Sequence, residues 1–154
     1  MIVSQTAGAI KRFKRTPWRF QQTVEIPSGE EIARFVSIVL SAQTDLQEVT
    51  VTINEIIFDV AQMKAFLGAR DGAELTRDSS LTAQGLEEAQ ELLTAAFWDG
   101  NEFTVIPVPK PYVIYADHHG WATFYANTKG NLNGVIEPLE SQEYKLVMNW
   151  QRKL

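Results

Sequence analysis

The spacing of apolar residues switches between two periods along this chain, and that switching constrains the fold more than any motif does. Period two places alternate side chains on one face of a strand, whereas apolar residues at i, i+3, i+4 and i+7 form one stripe of a helix. From Trp18 the period is two. Trp18, Phe20, Val24 and Ile26 face one way, and Arg19, Gln21, Thr23 and Glu25 face the other, which predicts a strand with one wet face. Ile32, Phe35, Val36, Val39 and Leu40 then follow helical spacing and predict a helix over about 29–42. Ser28 with Glu31 three residues on predicts a capping box at its start.

The same reading carries on to the C-terminus. Val49, Val51 and Ile53 alternate with Thr50, Thr52 and Asn54, predicting a strand that runs to about Phe58. Asp59, three residues before Gln62, predicts a second capping box, and Met63, Phe66 and Leu67 form a short helix face ended by Gly68. Residues 68–80 read as a polar loop. A third helix starts near Ser80 or Thr82, carries the stripe Leu86, Ala89, Leu93, Ala96 and Phe97, and stops at Asp99-Gly100. Strands follow over 103–108, 112–116 and 121–126. Pro107 and Pro109 predict that the first lies at an edge or ends there, and Asp117-His118-His119-Gly120 joins the other two as a hairpin. Asn127-Thr128 caps a last helix with the stripe Leu132, Val135, Ile136 and Leu139, interrupted by Pro138, and residues 144–150 alternate as a closing strand.

Interspersed helices and strands with a hairpin and short links argue against a doubly wound parallel sheet. The expectation is an α+β two-layer sandwich: a mixed, largely antiparallel sheet of five to six strands with helices mainly on one face. A chain of 154 residues is one ordinary domain, here residues 18–154, preceded by a basic tail or irregular lead-in over 1–17.

Charge is spread unevenly. The first 24 residues carry five cations (Lys11, Arg12, Lys14, Arg15 and Arg19) and no carboxylate; the rest carries nine Lys and Arg against all 19 Asp and Glu, a net −10. Such a body repels nucleic acid and anionic membrane, while the leading segment attracts them. Phe13, Trp18 and Phe20 interleave with those cations, but the strand alternation turns Trp18 and Phe20 inward, away from any base they could stack on. Lys11, Arg12, Lys14 and Arg15 are therefore expected to guard a strand edge or to contact a protein partner, not nucleic acid. No stretch approaches the roughly 18 apolar residues that span a bilayer. The chain has no cysteine, hence no disulfide and no thiolate chemistry, and its first residues lack a secretion signal; both point to the cytoplasm.

Candidate chemistry is sparse. The only two histidines are adjacent, in Asp117-His118-His119. Neighbouring residues in an extended segment point to opposite faces, and no third ligand is identifiable, so a turn in which Asp117 bonds its own backbone is favoured over a metal site. No nucleotide, zinc-protease or nucleophile-elbow motif occurs, so no cofactor is expected. Glu87, Glu88 and Glu91 read as a solvated helix face. Trp98 lies about 100° off its helix stripe and either covers the sheet edge or anchors a partner. The hairpin strands are apolar on both faces, so the second face must meet a helix, a crossing segment or a partner.

In class and charge this small, acidic, cysteine-free α+β design resembles bacterial immunity and inhibitor proteins, which neutralise a toxin by surface complementarity. The resemblance implies a non-enzymatic interaction protein. The expected partner-binding residues are Lys11, Arg12, Lys14, Arg15, Trp98, Asp117, His118 and His119. The alternatives are a small metal-dependent hydrolase built on Asp117, His118 and His119, and a homo-oligomeric structural module.

Overall fold

A computed structural model describes residues 2–5, 18–68 and 74–153. Among these, eight strands and four helices follow one another as β1 (Ile2–Gln5), β2 (Phe20–Glu25), α1 (Glu31–Ser41), β3 (Glu48–Glu55), α2 (Ala61–Gly68), β4 (Ser79–Gln84), α3 (Gly85–Asp99), β5 (Glu102–Val108), β6 (Val113–Ala116), β7 (Trp121–Ala126), α4 (Lys129–Ser141) and β8 (Leu146–Val147). All eight strands form one sheet in the order β1-β4-β3-β5-β6-β7-β2-β8. Each described pairing is antiparallel. The α+β class is as expected, and the sheet is wider than five or six strands.

The helices bury their stripes on one face of this sheet. Ile32, Phe35, Val36, Val39 and Leu40 of α1 are buried together with Val49, Val51 and Ile53 of β3 and Ile114, Ala122 and Phe124 of the hairpin. Phe97 of α3 stands edge-on to Phe35 of α1 at 5.4 Å and to Phe103 of β5 at 5.0 Å, so three elements meet on one ring. The Tyr112 hydroxyl donates to the Val39 carbonyl at 2.7 Å, tying the start of the hairpin to α1.

The opposite face is mostly polar. Hydroxyl pairs span neighbouring strands: Thr50 with Thr82, Thr52 with Ser80, and Thr23 with Thr123, at 2.7–2.8 Å. Val113, Tyr115 and Tyr125 form a small second cluster with Trp18 and Ile106. The C-terminal segment folds back across this side. The Trp150 ring meets Trp121 at 4.8 Å, the Arg152 guanidinium lies 4.8 Å over Tyr115, and Arg152 and Gln21 exchange two hydrogen bonds. The crossing segment expected over the hairpin is thus supplied by the chain itself.

Several boundaries differ from the sequence reading. Residues 2–5, placed in the irregular lead-in, are an edge strand paired with β4. Residues 79–84 form strand β4 instead of the start of a helix. Leu81 and Ala83 point into the core while the Ser80 and Thr82 hydroxyls pair across to β3, an alternation that small polar residues hide. Gly85, at φ +78°, then supplies the left-handed residue that turns strand into helix. Leu86 leaves the buried stripe of α3, is 58% exposed, and lines a groove beside Ser37 and Leu40 of α1. Trp18 does not share a face with Phe20; it packs on Tyr125 on the other side, because regular pairing begins only at Phe20.

β5 is central, between β3 and β6. Its Pro107 is tolerated because β6 pairs only with residues 103–105, so Pro107 lies where no ladder bond is asked of it on that side. Helix α1 begins at Glu31 with no side-chain cap; Glu31 instead accepts from Arg34 and from the Tyr144 hydroxyl. The final strand is only Leu146–Val147.

Truncating Phe97 to alanine removes the ring on which α1, α3 and β5 converge. The expected cost is about 3–5 kcal/mol in urea-induced unfolding. A loss below about 1 kcal/mol would mean that the three-ring contact does not organise the core.

Candidate interaction cleft at one end of the sheet

Four connections meet where β2, β3 and β6 end: the β2–α1 loop, the β3–α2 loop, the C-terminus of α3 and the β6–β7 turn. Between them lies a cleft of about 440 Å³, within the size range of ligand and side-chain pockets. Ile26, Pro27, Phe58, Phe97 and Trp98 supply apolar walls, and Asp99, Asp117 and His118 supply polar ones.

Each wall has a local cause. β3 ends at Glu55, so residues 56–58, expected to continue it, leave the sheet. The buried Asn101 side chain holds them there: its Oδ1 accepts from the N–H groups of Ile57 and Phe58, both at 2.7 Å. With their backbone pinned inward, Ile56, Ile57 and Phe58 turn outward and are 39%, 46% and 50% exposed. Trp98 shares the cleft with Phe58 and is 50% exposed, so it is not buried as a cover over the sheet edge.

Asp99 caps α2 from a distance. Its two carboxylate oxygens accept from the N–H groups of Gln62 and Met63 at 2.9 and 3.0 Å, the role the sequence assigned to Asp59. Burial raises the Asp99 carboxyl above the usual aspartate value; the two N–H bonds oppose this, and the nearby Asp59 charge adds to it. Gly100, at φ +76°, ends α3 in the left-handed conformation and redirects the chain into β5.

The β6–β7 turn is tightly built. Asp117 Oδ1 accepts from the N–H groups of His119 and Trp121 at 2.8 and 3.1 Å, the self-bonded turn that was expected. The carboxylate is nevertheless buried, at 6% exposure, because its other oxygen accepts from Arg152 at 2.7 Å. Burial pushes this carboxyl upward, but the Arg152 bond and the two N–H bonds outweigh it and hold Asp117 below the ordinary aspartate value. His118 Nδ1 bonds Glu102 Oε1 at 2.9 Å, and a carboxylate partner makes Nδ1 the donor. The two imidazoles do not diverge as in an extended segment; their centroids are 4.0 Å apart. No group of three His, Cys, Asp or Glu with metal-holding geometry occurs among the described residues.

The fold therefore brings Trp98, Asp117 and His118 to one cleft, and the His119 ring lies tilted against that of His118. Lys11, Arg12, Lys14 and Arg15 lie outside the described residues. Sequence reasoning missed Phe58, Asn101, Glu102 and Arg152. The only available signal was the break of period two at Ile56-Ile57, where consecutive apolar residues cannot both face the core of a strand. Among the described residues no helix is long and apolar enough to cross a membrane. A comparison with protein-family models, curated proteins and solved structures finds no match.

Arg152→Ala leaves the Asp117 carboxylate buried without its cation and should cost on the order of 3 kcal/mol at neutral pH. Because the folded Asp117 value is depressed, its stabilisation is fully present above the unfolded value of 3.8 and is lost as pH falls through the folded value. The stability gap between wild type and Arg152→Ala should therefore close on acidification. Chemical unfolding across a pH series measures this, and a gap that widens in acid would refute the assignment.

Proposed function

We propose that the chain is a non-catalytic protein-interaction module, immunity- or inhibitor-like in design, and that it works in the cytoplasm. The observation that carries this reading is a formed cleft lined by the half-exposed Phe58 and Trp98, with the exposed Ile56 and Ile57 preceding Phe58 in the chain. Large apolar side chains gathered at the surface mark contact sites, and tryptophan is enriched among the residues that dominate binding energy. These side chains are not loosely displayed. Asn101 and Asp99 fix the backbone on both sides of them, so little ordering entropy is lost on association. The cysteine-free composition supports the cytoplasmic setting.

A photo-cross-linking residue at position 58, introduced into the protein in its native cells, tests the reading. A discrete cross-linked partner is expected, and Trp98→Ala should reduce its yield at least about tenfold. Trp98 is half exposed, so the same substitution should change stability by less than about 1 kcal/mol. Cross-linking that yields no partner, or that is indifferent to Trp98→Ala, would sink the proposal; a cross-link to a second copy would favour the homo-oligomeric module.

A second reading, hydrolysis, draws on the His118–Glu102 bond at the edge of the same cleft, because a carboxylate that holds Nδ1 orients the ring as a general base does. Ester turnover abolished by His118→Ala would favour it.

A further inference from the structure

We propose that the occupant of the cleft is a cationic segment of a partner protein, one bulky apolar side chain flanked by arginine or lysine. This rests on the interaction reading above and adds the partner's chemistry to it.

The apolar walls set the anchor. Phe58, Trp98 and Pro27 line a space the size of a large side chain and its neighbours, and the N–H groups of residues 57 and 58 are already bonded to Asn101. The charges set the flanks. No lysine or arginine lines the cleft. Of the acidic groups at this end of the sheet, Asp117 is matched by Arg152, and Glu102 accepts a hydrogen bond from His118. The others are not matched: Asp99 accepts only backbone N–H groups, and Asp59, Glu30 and Glu55 make no ion pair among the described residues. Asp59 lies close enough to Asp99 to act on its carboxyl, and Glu55 sits directly opposite Glu102 in the β3–β5 register. The apolar opening thus has no lysine or arginine in its lining, has Asp59 and Glu30 one residue away from the lining Phe58 and Gly29, and belongs to a body of net charge −10 over residues 25–154.

An acidic partner would bring like charges together here, whereas a basic one relieves the repulsion and speeds encounter. The exposed faces of Trp98 and Phe58 add a place for a guanidinium or ammonium group to rest.

The experiment titrates the isotope-labelled full chain with two peptides, acetyl-Arg-Phe-Arg-amide and acetyl-Glu-Phe-Glu-amide, and follows the Trp98 indole and the Gly100 and Gly120 amides by NMR. The basic peptide should shift these signals saturably and bind at least about tenfold more tightly than the acidic one, with an advantage that shrinks as salt rises. Asp59→Lys, on an exposed loop, should weaken the basic peptide and strengthen the acidic one; Asp59→Asn should give a smaller change in the same direction. Equal binding of both peptides at the cleft would overturn the charge inference while leaving a protein-binding cleft in place. So would a basic peptide that leaves Trp98, Gly100 and Gly120 unmoved while the position 58 cross-link still depends on Trp98. Loss of that cross-link dependence is the distinct failure of the interaction reading itself.

Discussion

The left-handed turn at Gly100 lets six consecutive residues serve two walls of one cleft. Phe97 is in the core against Phe35 and Phe103, Trp98 is at the surface, and Asp99 caps the N-terminus of α2. After the turn, Asn101 pins residues 57 and 58, and Glu102 holds His118. A helix that ran one turn further would carry these side chains around its axis in steps of about 100° and scatter them. Glycine is suited to this place because φ +76° is strained for any residue with a Cβ.

The second constraint is the width of the sheet. Eight strands expose two broad faces, and the described helices bury one of them. Paired hydroxyls on the other face satisfy each other across strands, which lets Thr23, Thr52, Ser80 and Thr123 be buried there. Around the hairpin that face turns aromatic, and there the C-terminal segment crosses it, clamped by Arg152 on Asp117, Thr123 and Gln21. This clamp reaches the cleft through Asp117, whose other oxygen shapes the His118 turn. Residue 152 and the cleft thus share one buried carboxylate, Asp117.

What was legible in the sequence followed the strength of its periodic signal. Helix α1 is found where Ile32, Phe35, Val36, Val39 and Leu40 place it, and the hairpin where its alternating strands and terminal glycine place it. β4 was hidden because its polar Ser80 and Thr82 are satisfied by hydroxyl pairing with β3, Ser80 being buried, and no hydropathy pattern registers a polar residue made comfortable by a neighbour 28 or 32 positions away. The cap of α2 was assigned to Asp59 on spacing alone, but Asp99 reaches it through tertiary proximity. Trp98, Asp117 and His118 were individually legible as candidates; their convergence on one cleft was not.

By itself, the sequence determined the α+β class, the amphipathic faces of α1 and α4, the self-bonded turn at Asp117 and the surplus of negative charge. These depend on residues close in the chain, or on simple sums over it, so local physics suffices. Only the tertiary structure decided that residues 56–58 and Trp98 face solvent, that Arg152 neutralises Asp117, and which carboxylates stay unmatched near the cleft. Those outcomes depend on contacts between segments tens of residues apart, and burial or charge compensation at such contacts has no signature in the spacing of residues along a strand or helix.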